Sequence, residues 1–360
     1  MKKKEIEKII SDVIKCTSSE YPVSLSRNSN VLTVAREDAR VVMSGKIDSE
    51  GDDFSIAVNG QLLSSILSKV YEDDITLCVK DRMLQIKSAN ACIQMPGNLG
   101  DSVDMLSDDN YRDVHIPVSE IKKMVPEVMH VIDPYAQDIK LRSVCIETDE
   151  MGDSVSVRAV SSTRLAVRKT GDFKAYSQFT IEGHVLNAVL SVIDDNGVMK
   201  YGGSLGPRRD VPSAFINHRK HAGVRFCDKT YTIDIPLVDG DFFNISRLLQ
   251  QKKCMSVTVK RKDIITAVEL NALMNRYVLF DIDTDKIIVN TESEKGGLKT
   301  RVPAKVTGLS KMTIKLKSDF LLDGLKNLEE DDVTISLCTR RTPILFSSNK
   351  KETELLCPCL

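Results

Sequence analysis

Residues 61–78 read QLLSSILSKVYEDDITLC, and residues 319–338 read DFLLDGLKNLEEDDVTISLC. Each stretch places apolar residues at helical spacing, continues into an acidic turn and ends in a β-branched run. A weaker version, HVLNAVLSVIDDNGVMKY, occupies residues 184–201. Self-similarity over such distances predicts one supersecondary unit that is used three times. The positions shared by the first two stretches are Leu63, Leu67, Val70, Asp73, Asp74, Ile75 and Thr76, which recur as Leu321, Leu325, Leu328, Asp331, Asp332, Val333 and Thr334.

Length and composition indicate a globular chain of several domains. The chain has 360 residues, of which 42% are apolar and 28% charged, and its net charge is −1. One hydrophobic core rarely serves so long a chain, and the repeats favour three domains. There is no run of 18 apolar residues, and the start MKKKEIEKII lacks the apolar stretch of a secretory signal. Neither a membrane span nor secretion is therefore predicted.

The nine cysteines are scattered, and most fall inside apolar runs. This pattern is typical of small buried side chains in a reducing compartment. Cys357 and Cys359 could ligate a metal, as could His218 and His221, but neither pair has the second pair that a zinc site needs. We therefore expect no metal and no other cofactor.

Three further helices are predicted at 4–16, 118–132 and 260–274, each ahead of one repeated stretch. Pro126 is expected to weaken or kink the second of them. Short alternating stretches between the helices, such as NVLTVARED and SVSVRAVSS, predict antiparallel strands with one buried face. The order helix, strands, helix, strands predicts an α+β fold in which both helices of a domain lie on one face of its sheet.

Polar stretches at 98–113 and 247–256 divide the chain into three predicted domains. Their bounds are 1–109, 110–253 and 254–360. The segment 202–223 is rich in Gly, Pro and Arg and fits no repeat, so it is interpreted as a loop insertion in the second domain.

Signals for catalysis are few. GGSLG at 202–206 lacks the G-K-[ST] ending of a phosphate-binding loop and does not join a strand to a helix. The hydroxyl cluster Ser161, Ser162 and Thr163 has no nucleophile motif around it. Acidic pairs such as Asp73 and Asp74 follow helices, where solvated turns explain them better than acid–base chemistry. An enzyme is therefore not the favoured interpretation.

Basic residues gather on and beside the first helix of each repeat, where they suggest a common surface. Singly, each is typical of a solvated helix face; together, at equivalent places in three repeats, they would line one surface if the repeats surrounded an axis. The residues are Lys2, Lys3, Lys4 and Lys8, then Lys122, Lys123 and Lys140, then Lys260, Arg261 and Lys262.

On these residues the chain resembles the bacterial sliding clamp family, the beta subunit of DNA polymerase III, over nearly its whole length. The matching stretches are LVDGDFFNISRLL (237–249), VRAVSSTRLAV (157–167), DFLLDGLKNLEEDDVTISL (319–337) and the tail LLCPCL (355–360). Phe243 stands where the family usually has Pro, and Cys357 and Cys359 stand where it has apolar residues. The family resemblance marks the chain as a divergent member.

The resemblance implies three repeated DNA-clamp domains, with helices inside and antiparallel sheets outside. Two chains would close head to tail into a ring around duplex DNA, which also pairs the exposed sheet edges. It implies a processivity factor without catalytic activity, cytoplasmic and associated with the nucleoid. The residues expected at the dimer contact are Ile93, Leu273 and Met274, and those expected to face DNA are Lys8, Lys122, Lys123, Tyr135, Lys140, Lys260, Arg261 and Lys262.

The resemblance also implies a groove that receives short peptides of the replicative polymerase and the clamp loader. Arg164 and Arg247 are expected to orient such a peptide, and apolar side chains are expected to form its floor. Carried over position by position, the groove comprises Leu141, Val160, Ser162, Thr163, Arg164, Leu165, Phe243, Arg247, Leu248, Pro343, Leu356, Cys357, Pro358 and Cys359.

Two alternatives remain open from the sequence. One is an interaction scaffold that never encircles DNA, which oligomer mass would reveal if the protein were a monomer. The other is a nucleotide-binding hydrolase that uses the 202–206 loop, which a turnover assay would reveal.

Overall fold

A computed structural model describes most of the chain, with gaps that include most of the predicted insertion and the last four residues. Cys357, Pro358 and Cys359 of the expected groove therefore lie outside the described residues, as do His218 and His221. The described ranges are 1–17, 21–38, 40–99, 103, 105, 111–114, 116–148, 154–171, 178–202, 223–294, 296–308, 311–348 and 352–356.

The chain divides into two compact units. Unit 1 comprises Met1–Lys122 and His184–Leu237, and unit 2 comprises Lys123–Gly183 and Val238–Leu360. Each unit joins one outer repeat to about half of the middle repeat. The division into three domains at 109 and 253 stays a prediction.

The six predicted helices are present. They are α1 Lys3–Cys16, α2 Gly60–Lys69, α3 Val118–Met129, α4 Gly183–Leu190, α6 Arg261–Ala272 and α7 Ser318–Lys326, and a short helix that was not predicted, α5 Ser246–Leu249, precedes α6. The helix α3 runs through Pro126. None of the helices in the described ranges has both the length and the apolar character that crossing a bilayer requires.

The first helices of the three repeats bury residues at the same spacing. Ile6, Ile9, Ile10 and Val13 are buried on α1, and the same spacing is buried on α3 and α6. The matching residues are Ile121, Met124, Val125 and Val128 on α3, and Ile264, Ala267, Val268 and Asn271 on α6. This pattern fixes which positions of the three helices are equivalent.

The strands are antiparallel, as predicted from their period-2 alternation. In unit 1 they are β1 Val23–Asn28, β2 Val31–Glu37, β3 Val42–Asp48, β4 Phe54–Val58, β5 Thr76–Lys80, β6 Met83–Lys87, β7 Cys92–Pro96, β8 Tyr111–Asp113, β13 Val198–Gly202, β14 Gly223–Cys227 and β15 Tyr231–Pro236. In unit 2 they are β9 Ser143–Thr148, β10 Ser154–Val160, β11 Arg164–Gly171, β12 Gln178–Glu182, β16 Met255–Lys260, β17 Tyr277–Asp283, β18 Lys286–Ser293, β19 Gly296–Pro303, β20 Lys305–Gly308, β21 Met312–Lys317, β22 Asp332–Leu337, β23 Ile344–Ser347 and β24 Glu352–Leu356.

Each repeat contributes two half-sheets, which we call leading and trailing. The leading half-sheets precede the second helix and have the orders β4-β1-β2-β3, β12-β9-β10-β11 and β21-β17-β18-β19. The trailing half-sheets follow it and are built on β5-β6-β7, β13-β14-β15 and β22-β23-β24. Two junctions join a leading to a trailing half-sheet: β3 pairs with β15 in unit 1, and β11 pairs with β24 in unit 2.

The acidic turns that the repeats share hold the first helix in place. In repeat one the backbone N–H of Lys3 donates to the Asp73 carbonyl at 2.7 Å, and in repeat three that of Arg261 donates to the Asp331 carbonyl at 2.7 Å. The preceding lysines pair with the second acid of each turn, in Lys2–Asp74 and Lys260–Asp332, both at 2.9 Å. The turns are solvated, as expected, and they also anchor the helix starts.

The expectation that the cysteines are free is wrong for one pair. Cys254 and Cys338 form a disulfide with their Cα atoms 4.4 Å apart. Cys254 immediately precedes β16, Cys338 immediately follows β22, and these strands pair with each other. The pairing of two distant segments brings the thiols together, which the spacing of cysteines along the chain cannot reveal.

Candidate functional site

The expected groove residues converge on the strands β10 and β11 of unit 2. Leu165 is buried in a small apolar cluster with Val167, Ile245 and Leu345, against which Val160 and Phe243 pack. Because side chains alternate across a strand, Leu165 and Val167 lie on the face of β11 opposite the helices. Val160, Leu165 and Phe243 are thus brought together as predicted.

Phe243 begins the rim of this cluster, and the short helix α5 continues it. The rings of Phe242 and Phe243 meet edge to face, with centroids 5.3 Å apart. Arg247 is exposed on α5, and Leu248 is 39% exposed. The Gln251 side chain then donates to the Pro343 carbonyl at 2.7 Å, which fixes the segment after α5 to the start of β23. An apolar floor with a part-exposed leucine and an arginine beside it can accept an apolar anchor and a polar backbone.

Ser162 and Thr163 are exposed at the tip of the β10–β11 hairpin. The turn is closed by a backbone hydrogen bond from Ser161 to the Arg164 carbonyl at 2.9 Å. Leu141 lies in a 3-10 turn at Ile139–Arg142, and its carbonyl accepts from the Asp133 N–H at 3.0 Å. These three side chains are not members of the apolar cluster.

Arg164 and Leu356 lie on the other face of the sheet, away from the cluster. The Arg164 guanidinium is 3.1 Å from the Asp323 carboxylate and 4.0 Å above the Phe320 ring, both on α7. Burial lowers the pKa of Arg164, and Asp323 opposes that shift. Leu356 is buried in the apolar core of the third repeat. Arg164 therefore contacts α7. It does not lie beside the apolar cluster, where its expected role of orienting a peptide would require it.

A buried polar network lies on this helix-facing side of the unit 2 junction. Arg168 is 2% exposed, and its guanidinium donates to Glu354 at 2.7 Å and to Glu127 at 2.9 Å. The His130 ring nitrogen Nε2 is 3.1 Å from Glu354, and Nδ1 is 3.3 Å from the Asn327 amide nitrogen. The network joins α3, β11, β24 and α7, so it determines how the two half-sheets meet.

The sequence prediction missed Val167, Ile245 and Leu345 of the cluster, Leu249 packed against it, and all of this network. Ile245 could have been found, because it is an apolar residue two positions before the exposed Arg247 and follows the two phenylalanines of FFNISRLL. Arg168 left a weaker signal: a charged residue at an inward position of β11 that breaks the alternation.

The residues expected to face DNA differ in how exposed their side chains are. Lys8 on α1 and Lys123 on α3 are exposed at equivalent helix positions, Lys262 is exposed at the start of α6, and Tyr135 is 92% exposed. The Lys122 side chain donates to the Ile193 carbonyl and to Asp195, the Lys140 side chain donates to the Asp241 carbonyl, and the Arg261 side chain donates to two carbonyls of the third acidic turn.

Lys2 and Lys260 form ion pairs with the acidic turns but remain exposed at the surface. The hydrogen bond from Lys2 holds the pKa of the Asp74 carboxyl below its usual value, and the bond to Asp332 raises the pKa of Lys260. These shifts favour the charged forms of Asp74 and Lys260. Lys260 and Asp332 are more than half exposed, so their attraction is screened by solvent and salt.

The residues expected at a dimer contact lie on separate surfaces of the two units. Ile93 is half-buried on β7, an edge strand of the β5-β6-β7 half-sheet. Leu273 follows α6 and is 80% exposed, and Met274 beside it is half-buried. Over the described ranges, no group of three or more His, Cys, Asp or Glu side chains could hold a metal ion.

Comparison with known proteins identifies the fold. No protein-family model matches the chain. The Beta sliding clamp of Staphylococcus aureus is 19% identical over 362 residues, which cover 96% of this chain and 90% of that protein. The crystal structure of the DNA polymerase sliding clamp from Bacillus subtilis superimposes with a TM-score of 0.86 at 19% identity, covering 100% of this chain and 98% of that one. The DNA polymerase III beta subunit of Thermotoga maritima gives a TM-score of 0.82 at 13% identity, with coverage of 100% and 98%.

The three-repeat half-sheet architecture is thus the sliding-clamp fold. The chain is a divergent relative of the bacterial beta sliding clamps, which confirms the resemblance stated from its sequence.

Proposed function

We propose that this protein is a DNA sliding clamp. Two chains form a ring around duplex DNA, slide along it without reading sequence and tether a replicative polymerase. The single observation that supports this function most strongly is the match to sliding clamps over the full chain, at a TM-score of 0.86 with all three repeats included. The clamp acts without catalysis of its own, in the cytoplasm at the nucleoid, and its three domains meet near 109 and 253.

Contacts to DNA are assigned to the exposed members of the basic set. Lys8, Lys123 and Lys262 carry charges on the first helices, and Tyr135 projects from a loop. Exposed lysines attract DNA phosphates, and phosphate contacts carry no information about base sequence. The proposed DNA binding is therefore independent of sequence.

The apolar cluster of Val160, Leu165 and Phe243, with Arg247 and Leu248 on its rim, is assigned to partner peptides of the polymerase and the clamp loader. Two apolar anchors contribute about 1.5–3 kcal/mol each, and ordering the peptide offsets part of that, so an affinity near micromolar is expected. Phe243 narrows the pocket relative to the Pro that the family usually has, which favours smaller anchors.

The groove assignment is tested with a fluorescent peptide that carries a Gln and two apolar anchors. Leu248→Ala removes apolar contact area from the rim and is expected to weaken binding about tenfold, equivalent to ~1.4 kcal/mol. Leu62→Ala is the matched control, because Leu62 is 47% exposed on α2 of unit 1. Equal affinity of both variants for the peptide would place the partner site elsewhere.

The two-chain assembly is tested by light scattering combined with negative-stain imaging. A mass of twice the 40.1 kDa chain, with images of a ring, is expected at low micromolar concentration. A monomer at that concentration would favour the scaffold that never encircles DNA.

A further inference from the structure

The disulfide between Cys254 and Cys338 lies beside the apolar cluster that is proposed to receive partner peptides. Leu345 of that cluster lies opposite Ser336 of β22, and Ser336 lies opposite Ser256 of β16. Cys338 comes two residues after Ser336, and Cys254 comes two residues before Ser256. Because side chains two apart on a strand share a face, both cysteines lie on the same outward face of the sheet as Leu345.

The second repeat shows what a side chain at the position of Cys254 contacts. Its counterpart there is Tyr111, which lies the same distance ahead of the first buried residue of the next helix. The counterpart of Leu345 is Arg225, because each directly precedes the buried phenylalanine of the middle strand in its half-sheet. The Arg225 guanidinium lies 4.0 Å from the centre of the Tyr111 ring. The position of Cys254 therefore adjoins the position that Leu345 occupies in the cluster.

The disulfide ties down the segment that leads away from the rim of the cluster. The short helix α5 at this rim is followed by residues 251–254, which have no regular secondary structure. Two hydrogen bonds also hold the segment. The Gln251 side chain donates to the Pro343 carbonyl at 2.7 Å, and the Cys254 N–H donates to the Leu337 carbonyl at 3.0 Å. Hydrogen bonds of this kind exchange with water, whereas the disulfide is a covalent tie.

Both cysteines are half-buried, so small thiols and disulfides can reach them. With glutathione disulfide as oxidant, the thiolate of one cysteine attacks a glutathione sulfur and releases one glutathione thiol. The second cysteine then attacks the mixed disulfide, the protein disulfide forms, and a second glutathione thiol leaves. A dithiol reverses both exchanges and becomes the oxidised partner itself, while the two protein thiols regain their protons.

We infer that Cys254 and Cys338 form a redox switch of the proposed peptide groove. The disulfide holds residues 251–254, and with them the α5 rim, beside the apolar cluster, and reduction to two thiols frees the rim. A rim that is already ordered loses less conformational freedom on binding, so the disulfide form binds partner peptides more tightly. This inference rests on the proposed function, because the site that it regulates is the proposed groove.

The first test measures the segment itself and needs no peptide. The full chain is treated with glutathione disulfide or with dithiothreitol and then exposed briefly to trypsin, which cleaves after lysine. Lys252 and Lys253 are exposed within the segment. Cleavage requires local opening of the backbone, so we expect the reduced protein to be cut there about tenfold faster than the oxidised protein. Mass spectrometry identifies the cut and detects the bridge between Cys254 and Cys338.

Two variants control for the chemistry of the reagents. The double variant Cys254→Ser, Cys338→Ser should be cut at the rate of the reduced protein under both treatments. Cys92→Ser, which changes an exposed cysteine on β7 of unit 1, should keep the response of the wild-type protein. A bridge that does not form with glutathione disulfide, or equal cutting of the oxidised and reduced proteins, would overturn the switch.

The second test measures affinity for a cysteine-free fluorescent peptide that carries a Gln and two apolar anchors. Reduction is expected to weaken binding about fivefold, because the freed rim must be ordered again on binding. The double serine variant should bind like the reduced protein under both treatments. Equal affinity of the oxidised and reduced proteins would overturn the switch and leave the groove standing. Binding by neither form, while trypsin still distinguishes them, would instead overturn the proposed groove.

Discussion

Arg27 is a buried arginine whose side chain hydrogen-bonds the edge of strand β5. Its guanidinium is 3% exposed and donates to the Leu77 carbonyl of β5 at 3.1 Å and to the Ser49 hydroxyl at 2.8 Å. It also lies 4.9 Å from the centre of the Phe54 ring. In repeat three the counterpart of Leu77 is Ile335, which pairs with Val257 of β16. In repeat one, the Arg27 side chain therefore donates to the edge of β5, whereas in repeat three the equivalent strand β22 is paired with the strand β16.

Arg27→Leu is expected to lower the free energy of unfolding by about 3 kcal/mol. The change leaves the buried carbonyl and hydroxyl without their charged donor, and such groups are costly when unpaired. Urea denaturation followed by circular dichroism measures the loss, and Arg340→Leu is the control because Arg340 is exposed. A loss below about 0.5 kcal/mol, typical of a surface substitution, would show that Arg27 does not stabilise this edge.

The expected groove residues show how far the sequence predicts the site. The family resemblance assigns Val160, Leu165 and Phe243 to one groove, and the three side chains pack in one apolar cluster. Arg164 was assigned to the same groove by position, yet it meets Asp323 and Phe320 on α7. Its partner is 159 residues away, and no local pattern determines such a contact.

At the scale of elements, the unit 2 junction combines strand pairing with a buried charge network. Five backbone positions pair β11 with β24 on one edge. On the helix-facing side of these strands, the Glu354 carboxylate accepts a hydrogen bond from Arg168 and lies next to the His130 ring. Glu354 is only 4% exposed. Removing one member of such a network leaves the others buried and unpaired, which costs more than the original network contributed.

Glu354→Ala is expected to destabilise the protein by about 3–5 kcal/mol, and Glu354→Gln by less, because an amide oxygen still accepts from Arg168. Thermal and urea unfolding give the values, with the exposed Glu50→Ala as control. An Ala variant as stable as the Glu50 control would mean that strand pairing alone holds the junction.

The elements themselves were the most predictable part of the molecule. Helical spacing located α1, α2, α3, α4, α6 and α7, because buried positions recur every three or four residues along each helix. The strands followed from alternation. The disulfide between Cys254 and Cys338 was not predictable, because it depends on which strands become neighbours. The junction register likewise emerged only once the pairings were known.

At the scale of the whole molecule, the strands β19 and β7 each lie at the edge of a sheet among the described residues. In the proposed two-chain ring, head-to-tail association would cover exposed strand edges of both chains. Lys8 and Lys123, at equivalent positions of α1 and α3, are both exposed. Encirclement is the property that would unite these features in one function.

Retention on circular DNA tests encirclement most directly. The protein is first diluted so that two-chain rings dissociate, and it is then concentrated in the presence of nicked circular duplex DNA so that rings re-form around it. The complex is washed at about 0.5 M salt, where contacts between lysines and phosphates are weak. The ring is predicted to remain on the circle and to be lost once a restriction enzyme linearises it. Equal retention on circular and linear DNA, or release from both in salt, would contradict encirclement.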